Sequence, residues 1–206
     1  MSTDATTGRD ARRVETGERL LRAMESLLEE GATFRGVSIQ RLIEGAGLSR
    51  TLFYAYFRNK SDLLLHWAQQ VMQATALNAD EWWAIDRAPT VADLHRILDD
   101  IVEEYLPHIR VMAAVFDAAE FDDELRGLGN AMMGHYAGHL ATHIAAGQRA
   151  GWVDPALDPD VASRWLVLAL EPVHDEGLWT LERERRSTRL RALAGMLHAT
   201  LYRDVA

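Results

Sequence analysis

Apolar residues recur along this chain at the spacing of a helix, and no stretch alternates apolar and polar side chains as a half-buried strand would. Leu20, Leu21, Met24, Leu27 and Leu28 fall at i, i+1, i+4, i+7 and i+8 and make one stripe. Thr16 is the expected N-cap of this first helix and Gly31 its end. Residues 1–15 carry no such stripe and read as a flexible arm. A second, short helix is expected from Ser38, turning Ile39, Leu42, Ile43 and Ala46 inward. Gly47 breaks it, because glycine tolerates the left-handed backbone of a sharp turn. Ser49 then caps a third helix running to about Phe57, and Asn59-Lys60-Ser61-Asp62 caps a fourth, with Asp62 at N3.

Beyond this point the breakers are widely spaced. Ala88-Pro89-Thr90 precedes one helix, Leu106-Pro107-His108 divides two, and Asp122-Asp123 opens another. Gly151 to Pro159 is expected as a loop, and Glu184 to Ser187 as the join between the last two helices. The pattern predicts an all-α chain of about nine helices. It divides into the arm (1–15), a helix-turn-helix domain (16–62) and a larger helical domain (63–206).

Composition narrows the chemistry. The chain has 206 residues and no cysteine, which excludes disulfide scaffolds, thiolate metal sites and cysteine catalysis. The net charge of −9 speaks against coating nucleic acid by bulk positive charge. The charge is uneven, however. Residues 1–60 hold 10 Lys/Arg against 8 Asp/Glu, and residues 61–206 hold 12 against 23. A slightly basic head on an acidic body suits a small DNA-reading module carried by a unit that does not touch DNA. No apolar run reaches the roughly 18 residues of a membrane span, and Met1 to Asp10 lacks the apolar segment of a secretory signal, so the cytoplasm is the expected compartment.

The outward chemistry of residues 38–60 gives the helix-turn-helix a use. In that geometry the second helix lies in the major groove and offers its N-terminal residues to base edges. Ser49, Arg50 and Thr51 form the first turn of that helix, and Tyr54 follows on the same face. Free N–H groups and the positive dipole end there suit a phosphate. Arg50 can bond both acceptors of a guanine, worth about 1–3 kcal/mol of discrimination, or serve as a non-specific phosphate contact. Tyr56 and Lys60 sit where the chain leaves the groove. Lys60 is the only lysine, and a cation at a helix start costs about 0.3–1 kcal/mol unless a phosphate is its partner. Arg9, Arg12 and Arg13 in the arm could enter a minor groove or form a solvated tail.

The run from Val37-Ser38-Ile39 through Leu42-Ile43-Glu44-Gly45-Ala46-Gly47-Leu48-Ser49-Arg50-Thr51-Leu52-Phe53-Tyr54-Ala55-Tyr56-Phe57-Arg58-Asn59-Lys60-Ser61-Asp62-Leu63 resembles the signature of TetR-family transcriptional regulators. With Leu20-Leu21-Arg22-Ala23 and Glu30-Gly31, the resemblance covers about residues 16–64. It implies a homodimer of all-helical subunits that binds a palindromic operator, usually as a repressor, and is released by a small molecule. It further implies phosphate contacts from Ser38 and Lys60, groove contacts from Arg50, Thr51 and Tyr54, and a backbone contact from Tyr56. Phe53 stands where the family often has a phosphate-binding tyrosine, and Ile43 replaces a usual small residue.

In the body, Met112, Phe116, Met132, Met133, Tyr136 and Trp165 form an aromatic- and methionine-rich set able to line an adaptable apolar pocket, with Tyr105 as a further candidate. The resemblance places such a pocket within about residues 60–150. Glu171 and Asp175, one turn apart with Pro172 between them, are candidate polar anchors. Leu190, Leu193, Leu197 and Leu201, beside Ala194 and Gly195, are expected with the Leu166 to Leu170 run to form the dimer interface.

A different class competes through histidines. His135, His139 and His143 repeat at i, i+4 and i+8, a spacing able to chelate a metal, and His174-Asp175 is the dipeptide of all-helical HD phosphohydrolases. A metal-dependent phosphohydrolase or a metal-sensing regulator is therefore the alternative reading. No Gly-x-Ser-x-Gly, His-Glu-x-x-His or complete dinucleotide loop is present, so neither catalysis nor a cofactor is expected.

Overall fold

The computed structural model describes residues 3–169, 178 and 180–202. Their regular structure is helical, apart from one antiparallel bridge between Val153 and Tyr202. The helices are α1 (Thr3–Glu29), α2 (Ile39–Gly45), α3 (Arg50–Tyr56), α4 (Lys60–Trp83), α5 (Val91–Tyr105), α6 (Ile109–Ala119), α7 (Asp123–Ala150), α8 (Pro159–Ala169) and α9 (Arg183–Leu201). A 3-10 turn, Leu106–His108, carries Pro107 and separates α5 from α6. The all-α expectation holds.

Two boundaries differ from expectation. The first helix starts at Thr3, not at Thr16, so the segment expected as an arm is helical. Thr16 lies inside it, and its hydroxyl donates to the Arg12 carbonyl at 2.7 Å, the back-bonding open to a threonine within a helix. Glu184 to Ser187 is not a joining loop but the first turns of α9. Arg186 is buried there, donating to Glu103 at 2.7 Å and to the Leu181 carbonyl at 3.0 Å.

The chain forms two compact units, Met1–Val71 with Arg110–Arg126, and Met72–Ile109 with Gly127–Ala206. In the first, α1 packs on α2 and α3. Leu20, Met24, Leu42, Ile43, Phe53 and Phe57 are buried, the apolar face that the helical spacing predicts. Trp67 is buried too, and its indole N–H donates to the Gly17 carbonyl at 2.9 Å, so the ring adds apolar area without an orphaned donor.

The second unit closes around Trp82, Leu94, Ile97, Leu140, Ile144, Leu190, Ala194, Leu197 and Leu201. Thr90 and Asp93 make a reciprocal capping box at the start of α5, and α9 packs along α5. Leu190, Leu197 and Leu201, expected at a dimer interface, are thus used within the subunit, because their stripe meets α5. Leu168, from the 166–170 run also expected at that interface, is exposed, as are Val161 and Trp165 on α8 and Met196 on α9. Trp165 is 71% exposed and leaves the candidate pocket set. Met133, Tyr105 and Tyr136 are half-buried in this unit, whereas Met112 is buried and Phe116 half-buried in the first. Glu171, Pro172, His174 and Asp175 lie outside the described residues.

His143 is a core residue. Its Nε2 lies 3.0 Å from the Tyr202 hydroxyl, which also accepts the Trp82 indole N–H at 2.8 Å. Burial lowers the His143 pKa and raises that of Tyr202, so both stay neutral and the imidazole acts as a hydrogen-bonding group. His135 and His139 touch ring to ring but stay exposed. Among the described residues no three His, Cys, Asp or Glu side chains gather to hold a metal.

Candidate nucleic-acid interface

Three short-range devices shape the helix-turn-helix. Ser38 caps α2 by accepting the Arg41 N–H, and Ser49 caps α3 by accepting the Leu52 N–H, each at 3.1 Å. Gly47 sits at φ +63°, the left-handed conformation anticipated for the turn. Each serine hydroxyl, having accepted a backbone N–H, still has its own proton to give to a phosphate oxygen. Both serines are exposed.

Burial divides α3 cleanly. Phe53 is fully buried, edge-on to Tyr54 and tilted against Phe57. Phe53 therefore serves the core. Ile43 is likewise buried. Arg50 and Thr51 are exposed, and Tyr54 is 46% exposed with the Arg50 guanidinium 5.7 Å from its ring centroid. That contact pre-orders a long side chain above the helix surface. Tyr56 is half-buried. Ser49, Arg50, Thr51 and Tyr54 thus share one outward surface.

Lys60 departs from this group. Its ammonium donates to the carbonyl oxygens of Phe34 at 2.5 Å and Val37 at 2.7 Å, and lies 4.3 Å from the Phe34 ring centroid. Burial pulls its pKa down. The loop before α2 thus supplies two carbonyl partners to the lysine at this helix start. Arg13 is also engaged, bonding Asp62 at 3.0 Å, while Arg9 and Arg12 are exposed on α1.

Arg19, which local pattern does not reveal, and Asp62, expected at N3 of α4, hold the reading element together. Arg19 donates to the carbonyls of Ala46 at 2.9 Å and Gly47 at 3.1 Å, clamping the turn from α1. Asp62 accepts the Arg58 N–H at 2.9 Å as well as Arg13. Burial alone would raise the Asp62 pKa, but the Arg58 N–H and the Arg13 charge outweigh it and hold the carboxyl below its ordinary value. Asn59 caps α4 by accepting the Asp62 N–H at 2.8 Å.

Residues 20–66 match the family model of bacterial regulatory proteins, tetR family. Residues 20–66 thus form a domain of the tetR family. That match spans the helix-turn-helix just described, and solved TetR-family regulators share the fold of the remaining helices. A TetR transcription regulator from Haloarcula marismortui is 16% identical, with a TM-score of 0.70 over 91% of this chain and 99% of that one. NalD, the secondary repressor of the MexAB-OprM multidrug efflux pump in Pseudomonas aeruginosa, is 21% identical, with a TM-score of 0.66 over 92% and 98%. SmeT, solved with triclosan, is 18% identical, with a TM-score of 0.67 over 93% of each chain. At these identities the likeness is one of fold. No curated protein sequence matches the chain. Among the described residues no helix is long and apolar enough to cross a membrane.

Proposed function

We propose that the chain is a cytoplasmic, ligand-responsive repressor that binds a palindromic operator as a homodimer. The observation that carries this reading is the division of α3: Phe53 is buried, while Arg50, Thr51 and Tyr54 project from a helix start whose caps leave two serine hydroxyls outward. A purely structural helix pair has no need of that outward set.

The dimer is assigned to the exposed stripe Val161, Trp165 and Leu168, spaced i, i+4 and i+7 on α8, together with Met196 of α9. These side chains bury apolar area only against another molecule, and a second copy supplies the two-fold symmetry that paired half-sites about 34–36 Å apart require. Each half of the pocket set is taken in its own unit: Met112 and Phe116 in the first, Tyr105, Met133 and Tyr136 in the second. SmeT was solved with triclosan, and a largely apolar effector fits this aromatic and methionine composition. Because α4 begins beside the reading element and continues into the second unit, it is the element through which an effector would alter the spacing of two α3 helices. An effector can do so only by binding one arrangement more tightly than the other.

Genomic footprinting of the protein, followed by titration of operator and random duplexes, tests the reading. Arg50→Ala should lose operator affinity and sequence choice while keeping its affinity for random DNA. With about 6–8 cationic phosphate contacts per dimer, log affinity should fall against log salt with a slope of about −5 to −7. A flat salt response, or no preferred sequence, would refute the assignment.

A further inference from the structure

A cleft of about 920 Å³ lies within the first unit, bounded by the end of α1, the loop that follows it, and α6. Two phenyl rings stand in its wall, Phe34 and Phe121, the latter 76% exposed. Each already faces a cation of the protein. Lys60 Nζ lies 4.3 Å from the Phe34 centroid and the Arg35 guanidinium carbon 5.0 Å from that of Phe121.

The two cations are held very differently. Lys60 is fixed by two carbonyls, whereas Arg35 is exposed and has one long hydrogen bond of 3.3 Å, to the Asp117 carbonyl. The acidic residues Asp117 and Glu120, both exposed, are among those lining the same cleft, and another of its cations, Arg110, pairs with Glu29 at 3.6 Å. An electron-rich ring face beside exposed carboxylates attracts a positive charge and repels an anion. Leu28 and Ala114 add apolar wall.

We propose that this cleft binds an organic cation, an ammonium or amidinium on an apolar body, in the place that Arg35 fills in the free protein. Arg35 is the internal stand-in: its guanidinium occupies the Phe121 face until a better-matched cation displaces it. The consequence is local to the DNA-binding unit. Arg35 lies two residues before Val37, whose carbonyl Lys60 holds, and three before Ser38, which caps α2. Release of Arg35 frees the loop from α6 and loosens the lead-in to the reading element. Only this last step rests on the repressor reading; the binding step does not.

The test is calorimetric titration of the full-length protein, without DNA, using benzyltrimethylammonium and, as an anion of similar size, benzoate. The cation should bind saturably with a Kd below about 1 mM, and benzoate should not. Asp117→Asn with Glu120→Gln should weaken the cation about tenfold or more, and Arg35→Ala should tighten it by removing the competitor. In the unsubstituted protein, the Phe121 ring resonances should shift during the titration. Equal binding of both probes, a cation affinity indifferent to these substitutions, weaker binding by Arg35→Ala, or unmoved Phe121 resonances would each overturn the proposal. A protein that binds the cation but finds no operator would refute the repressor reading and leave the cleft assignment standing.

Discussion

Lys60 Nζ and the Val37 carbonyl oxygen are 2.7 Å apart, so the chain's one lysine ties the start of α4 to the loop that leads into α2. Hydrogen bonds from charged donors contribute about 1.5–3 kcal/mol. Lys60→Met should accordingly lower the urea midpoint of the protein, with a loss of about 2 kcal/mol, and weaken operator and random DNA alike through the loosened loop. If DNA affinity fell while the urea midpoint stayed put, the phosphate role that the resemblance implies would be the one supported.

The apolar faces of α8 and α9 separate the two uses of their side chains. Trp165→Glu or Leu168→Glu should shift the protein to monomer in sedimentation equilibrium with its helical content intact, because both positions are exposed in the subunit. Leu197→Ala should instead cost about 2–5 kcal/mol of stability, as a cavity in the core. A dimer undisturbed by either glutamate would reject the α8 assignment.

Two glycines of α7 should answer alanine in opposite senses. At Gly147 a Cβ would collide with the Trp152 ring and Val153, whereas at Gly138 nothing lies within 4 Å. Removing a helical glycine is worth about 1 kcal/mol, and overpacking costs about 1–3 kcal/mol. Thermal melts should therefore show Gly138→Ala raised and Gly147→Ala lowered relative to the parent.

Acid should dissolve the α5 cap at a definable pH. Hydrogen bonds from Arg87, and then from the Thr90 backbone, depress the Asp93 pKa from 3.8 to about 2. A depressed carboxyl pKa adds stability in full above the unfolded value, and that contribution disappears as pH falls from about 4 through about 2. Asp93→Asn should then be less stable than the parent near neutrality and indistinguishable from it near pH 2, in urea titrations across that range.

What the chain announced in advance was whatever neighbours decide among themselves. Ser38, Ser49 and Asn59 cap helices within three residues, and Gly47 turns on its own backbone freedom, so the reading element was legible almost residue by residue. The fate of Lys60 was not, because it depends on Phe34 and Val37, more than twenty positions away. Arg19 and Arg13 carried no local sign for the same reason. The leucines of α9 show a further limit: their spacing specifies that one face is covered, and cannot say whether α5 or a second subunit covers it. Trp165 misled by size, since large aromatic side chains are usually well buried and this one stands outward. Residues 3–15 misled by the converse route, forming helix without the apolar stripe by which helices are recognised.

The grip of Arg19 on Ala46 and Gly47 has a practical corollary for anyone wishing to transplant the recognition surface. A synthetic peptide spanning residues 38–57 would lack the guanidinium that clamps its own bend, and helices of seven residues do not persist alone in water. The smallest portable fragment must bring α1 along. Chimeras spliced between residues 19 and 38 would exchange one protein's bend for another's clamp, and should be cut upstream of α1 instead.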